Sequence, residues 1–216
     1  MDLVFPHHQN EVAQSEAAYG KPLAKYWLHN EHLLVAGAKM AKSAGNFFTL
    51  RNVTRRGYDP LILRFVLLQA HYRSKLDFSW KAMAAAKNTL YGLRRFAAYS
   101  ALKKSQGTNL KDYYQKFMAA LGNDLNVPEA LAVVFEATGS SANLGPAGRD
   151  LLRRVDGVLG LDLVTELTEA VKALLEAIDA ARQNRDYKES DKLRAQLTKL
   201  GYAVENSPDG TYAVRL

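Results

Sequence analysis

Hydrophobic residues crowd most densely between Leu61 and Leu68, where only Arg64 breaks the run. Asp59-Pro60 stands just before it, an N-cap acceptor followed by proline at the first helical position. The pattern predicts a buried helix from Pro60 to about Ala70. Ser79 predicts the cap of a second, longer helix over Trp80 to about Ala101. Helical spacing continues over 110–121 and from Asn126 and Pro128 to about Gly139. It resumes from Pro146 to about Leu159, from Thr165 to about Asn184, and from Tyr187 to Leu200, where Gly201 stops it. The front of the chain is less regular. Residues 9–19 predict a short helix ended by Gly20, and the alternation over 25–29 predicts a strand. Residues 31–39 predict a tight hairpin with Ala36-Gly37 at its tip. Thr49 caps a short helix that closes at Gly57. At the other end, 202–205 and 211–215 flank the turn residues Asn206-Ser207-Pro208-Asp209-Gly210, which predicts a small hairpin. Polar residues 103–109 read as a linker. The fold expected is mainly α, with a short α/β segment in front and a small α+β module at the end.

Composition narrows the class. The 216 residues are 48% hydrophobic and 24% charged, as in an ordinary globular protein. No uninterrupted apolar run is long enough to cross a bilayer, and the opening residues do not read as a secretory signal. Cysteine is absent, which excludes a disulfide framework and fits a cytoplasmic protein. The net charge of +7 is unevenly placed. Residues 1–110 carry 16 Lys and Arg against 6 Asp and Glu, whereas residues 111–216 carry 13 against 16. The first half has the electrostatics of a phosphate binder. RNA contact in the second half would have to come from a few placed side chains.

The candidate chemistry sits in the front segment. Lys39-Met40-Ala41-Lys42-Ser43 sets two lysines three apart on an expected loop. Ammonium groups with rotatable donors suit a polyphosphate whose charge shifts during reaction. His7 and Glu11 are four apart at a helix start, so both fall on one face, and their donor atoms are ordinary zinc ligands. Trp27 and Trp80 read as packing anchors, and His29 and His32 as structural or solvated. Arg94-Arg95 and Lys103-Lys104 are basic pairs that could meet RNA phosphates. Tyr187, Leu193 and Tyr212 suit the core of a small domain, while an aromatic ring at Tyr212 could also stack an unpaired base.

The order Phe5-Pro6-His7-His8-Gln9-Asn10-Glu11, Lys25-Tyr26-Trp27-Leu28-His29, Lys39 to Ser43, Gly45-Asn46-Phe47-Phe48-Thr49, His71-Tyr72-Arg73-Ser74 and Leu76-Asp77-Phe78-Ser79 resembles the second half of a cysteinyl-tRNA synthetase. Lys39 to Ser43 then corresponds to the Lys-Met-Ser-Lys-Ser signature of class I synthetases, with Ala41 in place of the middle serine. The likeness runs from Asp2 to about Arg215. It implies the C-terminal remnant of a Rossmann-like catalytic domain (1–48), a stem-contact connector (49–109), a helical bundle (110–163) and an α+β anticodon-binding module (164–216). It implies ATP, used with Mg2+, contacted by Lys42, Lys39 and Ser43. It implies zinc held by His7 and Glu11 together with two cysteines, which this chain does not contain. It implies cysteine and tRNA-Cys as substrates, with Arg73, Arg182, Arg194 and Tyr212 as candidate tRNA contacts. No His-Ile-Gly-His-type signature is present, so the expectation is a catalytically incomplete half, with the N-terminal half of the enzyme as a candidate partner and a cloned piece, a truncated reading frame and one part of a split enzyme all open. Two other readings stay open: a ligase that joins cysteine to an amino-sugar acceptor in mycothiol-type synthesis, and a non-catalytic tRNA-binding fragment.

Overall fold

The computed structural model describes residues 3–103, 110–140 and 145–216. The expected linker therefore lies, apart from Lys103, outside the described residues. The chain is mainly α. Helix α1 (Gln9–Tyr19) ends at Gly20, whose φ of 62° is the left-handed conformation the sequence predicts there. Strands β1 (Leu33–Val35) and β2 (Ala38–Lys39) form the predicted hairpin. Ala36 and Gly37 turn it at φ 52° and 76°, the two positive values that a tight hairpin turn needs. Then follow α2 (Leu50–Arg55), α3 (Pro60–Leu68), β3 (Leu76–Phe78) and α4 (Trp80–Ser100). The caps are those expected: Thr49 accepts from the Asn52 amide, Asp59 from Leu61 and Ser79 from Ala82.

Two front elements differ from expectation. Residues 25–29 form no strand; Tyr26 and Leu28 are 83% and 61% exposed, and no neighbouring strand pairs with them. The third strand is instead β3, parallel to β1 with Leu33 opposite Leu76. Three residues are too few for a legible alternation, and the partner lies some forty residues away. Asp77 in β3 also accepts the Gly37 amide at 3.2 Å, which fixes the hairpin tip.

Helices α5 (Lys111–Gly122), α6 (Val127–Gly139) and α7 (Pro146–Leu159) pack with α3 and α4 around one core. Its centre holds Phe65, Met83, Phe117 and Leu152, all fully buried. Each such side chain contributes about 1.5–3 kcal/mol by leaving water. A second, smaller core lies between α8 (Glu169–Gln183), α9 (Tyr187–Lys199) and the antiparallel pair β4 (Tyr202–Ser207) and β5 (Gly210–Arg215). Helix α8 begins at Thr168, not Thr165, because the Thr168 side chain accepts the Val171 amide. The residues before it are already committed: the amides of Leu161 and Leu163 donate to Asp156. Leu193 packs on this second core as expected, whereas Tyr187 is 65% exposed and is no part of it.

Helix α4 links the main core to the end module. Its outer face meets β5, and Tyr91 donates to Glu205 at 2.8 Å. Arg94 is 5% exposed and donates to the carbonyls of Leu161, Asp162 and Leu216. Burial pulls its pKa down, and Asp162 opposes that shift. Arg94→Ala would strand these carbonyls and leave a void, costing about 3 kcal/mol. Urea unfolding checks this; a change of Arg94 as small as that of exposed Arg95→Ala would contradict the bracing role.

Candidate functional site

The lysine loop is a built turn. Lys39 ends β2, and Lys42–Ala44 form one turn of 3-10 helix closed by Gly45 at φ 68°. Asn46 holds it from inside the turn: its Oδ1 accepts the Ala41 amide at 2.9 Å, and its Nδ2 donates to the Lys39 carbonyl at 3.2 Å. The Lys42 ammonium lies 5.5 Å from the centre of the Phe47 ring, and both lysines are exposed. The turn thus shows charge to solvent on a backbone whose shape is fixed by one asparagine. The next residue, Phe48, enters an aromatic box. Its ring meets Trp80 edge-on at 5.4 Å and Phe78 at 5.7 Å, and Tyr58 stacks on Trp80 at 6.0 Å. Trp80 is therefore the packing anchor expected. Arg56 covers its ring at 4.0 Å. The lysine loop is tied in this way to the first turn of α4.

His7 and Glu11 stand four apart where helical backbone enters α1. His7 is exposed and Glu11 half-buried. Among the described residues no group of three or more His, Asp or Glu could hold a metal ion, so among them this pair has no third ligand for a closed zinc site. The neighbouring histidine is engaged differently. His8 Nδ1 is 2.8 Å from His29 Nε2, and its ring packs on Trp27 at 5.0 Å. Trp27 itself remains 37% exposed.

His71-Tyr72-Arg73 closes on the loop between α5 and α6. Tyr72 donates to Asp124 Oδ1 at 2.6 Å, Arg73 pairs with Oδ2 at 3.1 Å, and His71 reaches the Asp124 carbonyl at 2.9 Å. Asp124 holds φ 55°, an unusual value for a non-glycine residue. The hydrogen bond to Tyr72, joined by the charge of Asp124, raises the Arg73 pKa. Arg73 therefore braces a junction while most of its side chain still faces water.

In the end module, Arg182 and Arg194 converge on one atom. Both donate to Asn206 Oδ1, at 2.9 and 2.6 Å. Asn206 is exposed, so the pair forms a basic surface point. Tyr212 faces the other way. It is buried and stacks on Tyr99 of α4 at 5.5 Å. Lys103 pairs with Asp209, whose carboxylate also accepts from Tyr99 and is held below its usual pKa. Sequence reasoning gave no role to Asn46, Asp124 or Asn206. Asn46 and Asp124 lie in loops and Asn206 in β4 close to the hairpin turn, and a short amide or carboxylate near a turn, able to complete backbone hydrogen bonds, was the available signal.

Three family models cover most of the chain. One described as the class I (C) tRNA synthetase catalytic domain matches residues 1–88, a DALR domain matches 116–164, and the cysteinyl-tRNA ligase anticodon-binding domain matches 164–213. The chain belongs to the cysteinyl-tRNA synthetase family. It is 40% identical to the cysteine–tRNA ligase of Symbiobacterium thermophilum and 38% identical to that of Chlamydia caviae, over 97% and 100% of its length. The ligase of Aromatoleum aromaticum is 38% identical over 97%. The chain spans about half the length of these relatives and corresponds to their C-terminal half. No helix among the described residues is long and apolar enough to cross a membrane.

The contact between the family's end module and α4 has a titratable marker. Burial, helped by Glu205, pushes the Tyr91 phenol from 10.0 up to about 12. The folded state thus keeps a proton that the unfolded chain loses near pH 10. This stabilisation is complete below pH 10 and is lost as pH rises through about 12. Urea midpoints measured from pH 9 to 12 should fall less steeply for Tyr91→Phe than for the parent chain; equal slopes would contradict the assignment.

Proposed function

We propose that this chain is the half of a cysteine–tRNA ligase that carries the phosphate-contacting loop and the tRNA-facing modules. The reading assigns residues 1–48 to the end of the catalytic domain, 49–109 to the connector, 110–163 to the helical bundle and 164–216 to the anticodon-binding module. The observation that carries it is the lysine turn, which presents Lys42 on a backbone fixed by Asn46 within a chain of this family. In the reaction, the cysteine carboxylate attacks the α-phosphorus of ATP and pyrophosphate leaves. Negative charge moves onto the β- and γ-phosphates as that bond breaks. Lys42, with Lys39 second, stabilises that charge more in the transition state than in bound ATP, so it accelerates the step. Ser43 donates to a phosphate oxygen or holds the turn. The carbonyl of the resulting adenylate is then attacked by a terminal ribose hydroxyl of tRNA-Cys, which forms the ester as AMP leaves.

The first part of the ligase's nucleotide site, including a His-Ile-Gly-His-type signature, must come from residues other than these. His7 and Glu11 offer two zinc ligands, and the remaining ligands must likewise come from elsewhere. Cytoplasmic location follows from this role. On the RNA side, Arg182 and Arg194 form the candidate contact, with Arg73 nearer the connector. The stacking role considered for Tyr212 would require it to leave Tyr99. A ligase for an amino-sugar acceptor would have no use for residues 164–216, and the match there to an anticodon-binding domain argues for tRNA.

Lys42→Ala, placed in a complete ligase that contains this half, should slow cysteine-dependent ATP–pyrophosphate exchange about 100- to 1,000-fold. Its tRNA affinity should change less than about twofold, since the charge faces ATP. An equal loss in both measurements would reject the phosphate role.

A further inference from the structure

The basic pair Arg94-Arg95 is divided by helix α4. Arg94 points inward and is spent on three carbonyls. Arg95 is exposed and lines an open groove of about 510 Å³ between α4, the end of α6 and the β4–β5 turn. Phe96 and Tyr99, both half-buried, give that groove an aromatic lining, with the buried Tyr212 ring stacked on Tyr99, and Asn206 and Ser207 supply polar groups. Its size lies within the usual range for small-ligand clefts. Of the acids close by, Asp209 is paired with Lys103, and Glu205, which accepts from Tyr91, does not line the groove. Arg95 makes no ion pair among the described residues, so the groove keeps a positive charge next to aromatic rings. Asn206 joins the groove to Arg182 and Arg194, because the residue that lines it is also the one on which both guanidinium groups converge.

We propose that this groove is a nucleotide subsite, in which Arg95 holds a backbone phosphate of the bound RNA and one unpaired base lies against the aromatic lining. Arginine suits phosphate because its planar donors match two oxygens. Flat rings accept a base face of any identity. The subsite therefore binds without selecting a base and extends the track that begins at Arg182 and Arg194. This inference rests on the reading of the chain as a tRNA-binding half.

The test uses a complete ligase containing this half, with a tRNA-Cys transcript titrated over a range of salt. Arg95→Gln should weaken binding about 3- to 10-fold at moderate salt. It should also lower the slope of log affinity against log salt by about 0.7–0.9, the loss of one phosphate contact. Arg95→Lys should restore the slope, and both variants should keep the parent's unfolding midpoint. Unchanged affinity and slope in Arg95→Gln, with normal tRNA binding by the parent, would overturn the subsite and leave the tRNA reading intact. A parent enzyme that fails to bind tRNA would overturn the tRNA reading itself. A lower affinity with an unchanged slope would also overturn the phosphate contact.

Discussion

The packing of one long helix sets the geometry of everything else. Helix α4 has 21 residues and so runs about 31 Å. Its first residue, Trp80, sits in the aromatic box beneath the lysine loop. Its last turns carry the end module through Tyr91, Arg94 and Tyr99. Its inner face, with Met83, Ala86, Leu90, Leu93 and Ala97 buried, belongs to the main core. A helix packed along its whole length behaves as a strut. The lysine turn and the end module are thereby both anchored on one helix.

Charge is spent differently at the two ends of that strut. Near the front, lysines stand on an exposed turn and arginines such as Arg56 lie over aromatic rings. In the second half, opposite charges pair locally, as Glu166 does with Arg149 and Arg153. Exposed pairs of this kind add little stability. Their effect is to cancel the surrounding field, so that unpaired groups stand out. Arg182, Arg194 and Arg95 form no ion pair among the described residues and lie in the region of Asn206 and its groove.

Helices were the legible part of this chain, because caps such as Asp59-Pro60 and Ser79 and stops such as Gly20 and Gly201 are local chemistry. The strand β3 was not legible: its pairing with β1 depends on residues far apart in sequence. The expected strand at 25–29 had alternation but no partner. Residue type and spacing singled out Lys39 and Lys42, and both stand exposed on one turn. The site was not legible where a side chain's role depends on which way a helix turns it. Arg94 and Arg95 are adjacent and identical in type, yet one is a buried brace and the other lines a groove. Nor could spacing tell that His8 would pair with His29, or that Asn46, Asp124 and Asn206 would each organise a cluster.

The central claim is that the Lys42 ammonium meets the phosphates of ATP. A lysine-reactive acyl-phosphate form of ATP, applied to a complete ligase containing this half and followed by peptide mass spectrometry, tests the contact itself. Acylation of Lys42, with Lys39 second, and its suppression by excess ATP is the result expected. Labelling confined to other lysines such as Lys81 or Lys87, or labelling of Lys42 that ATP does not suppress, would contradict it.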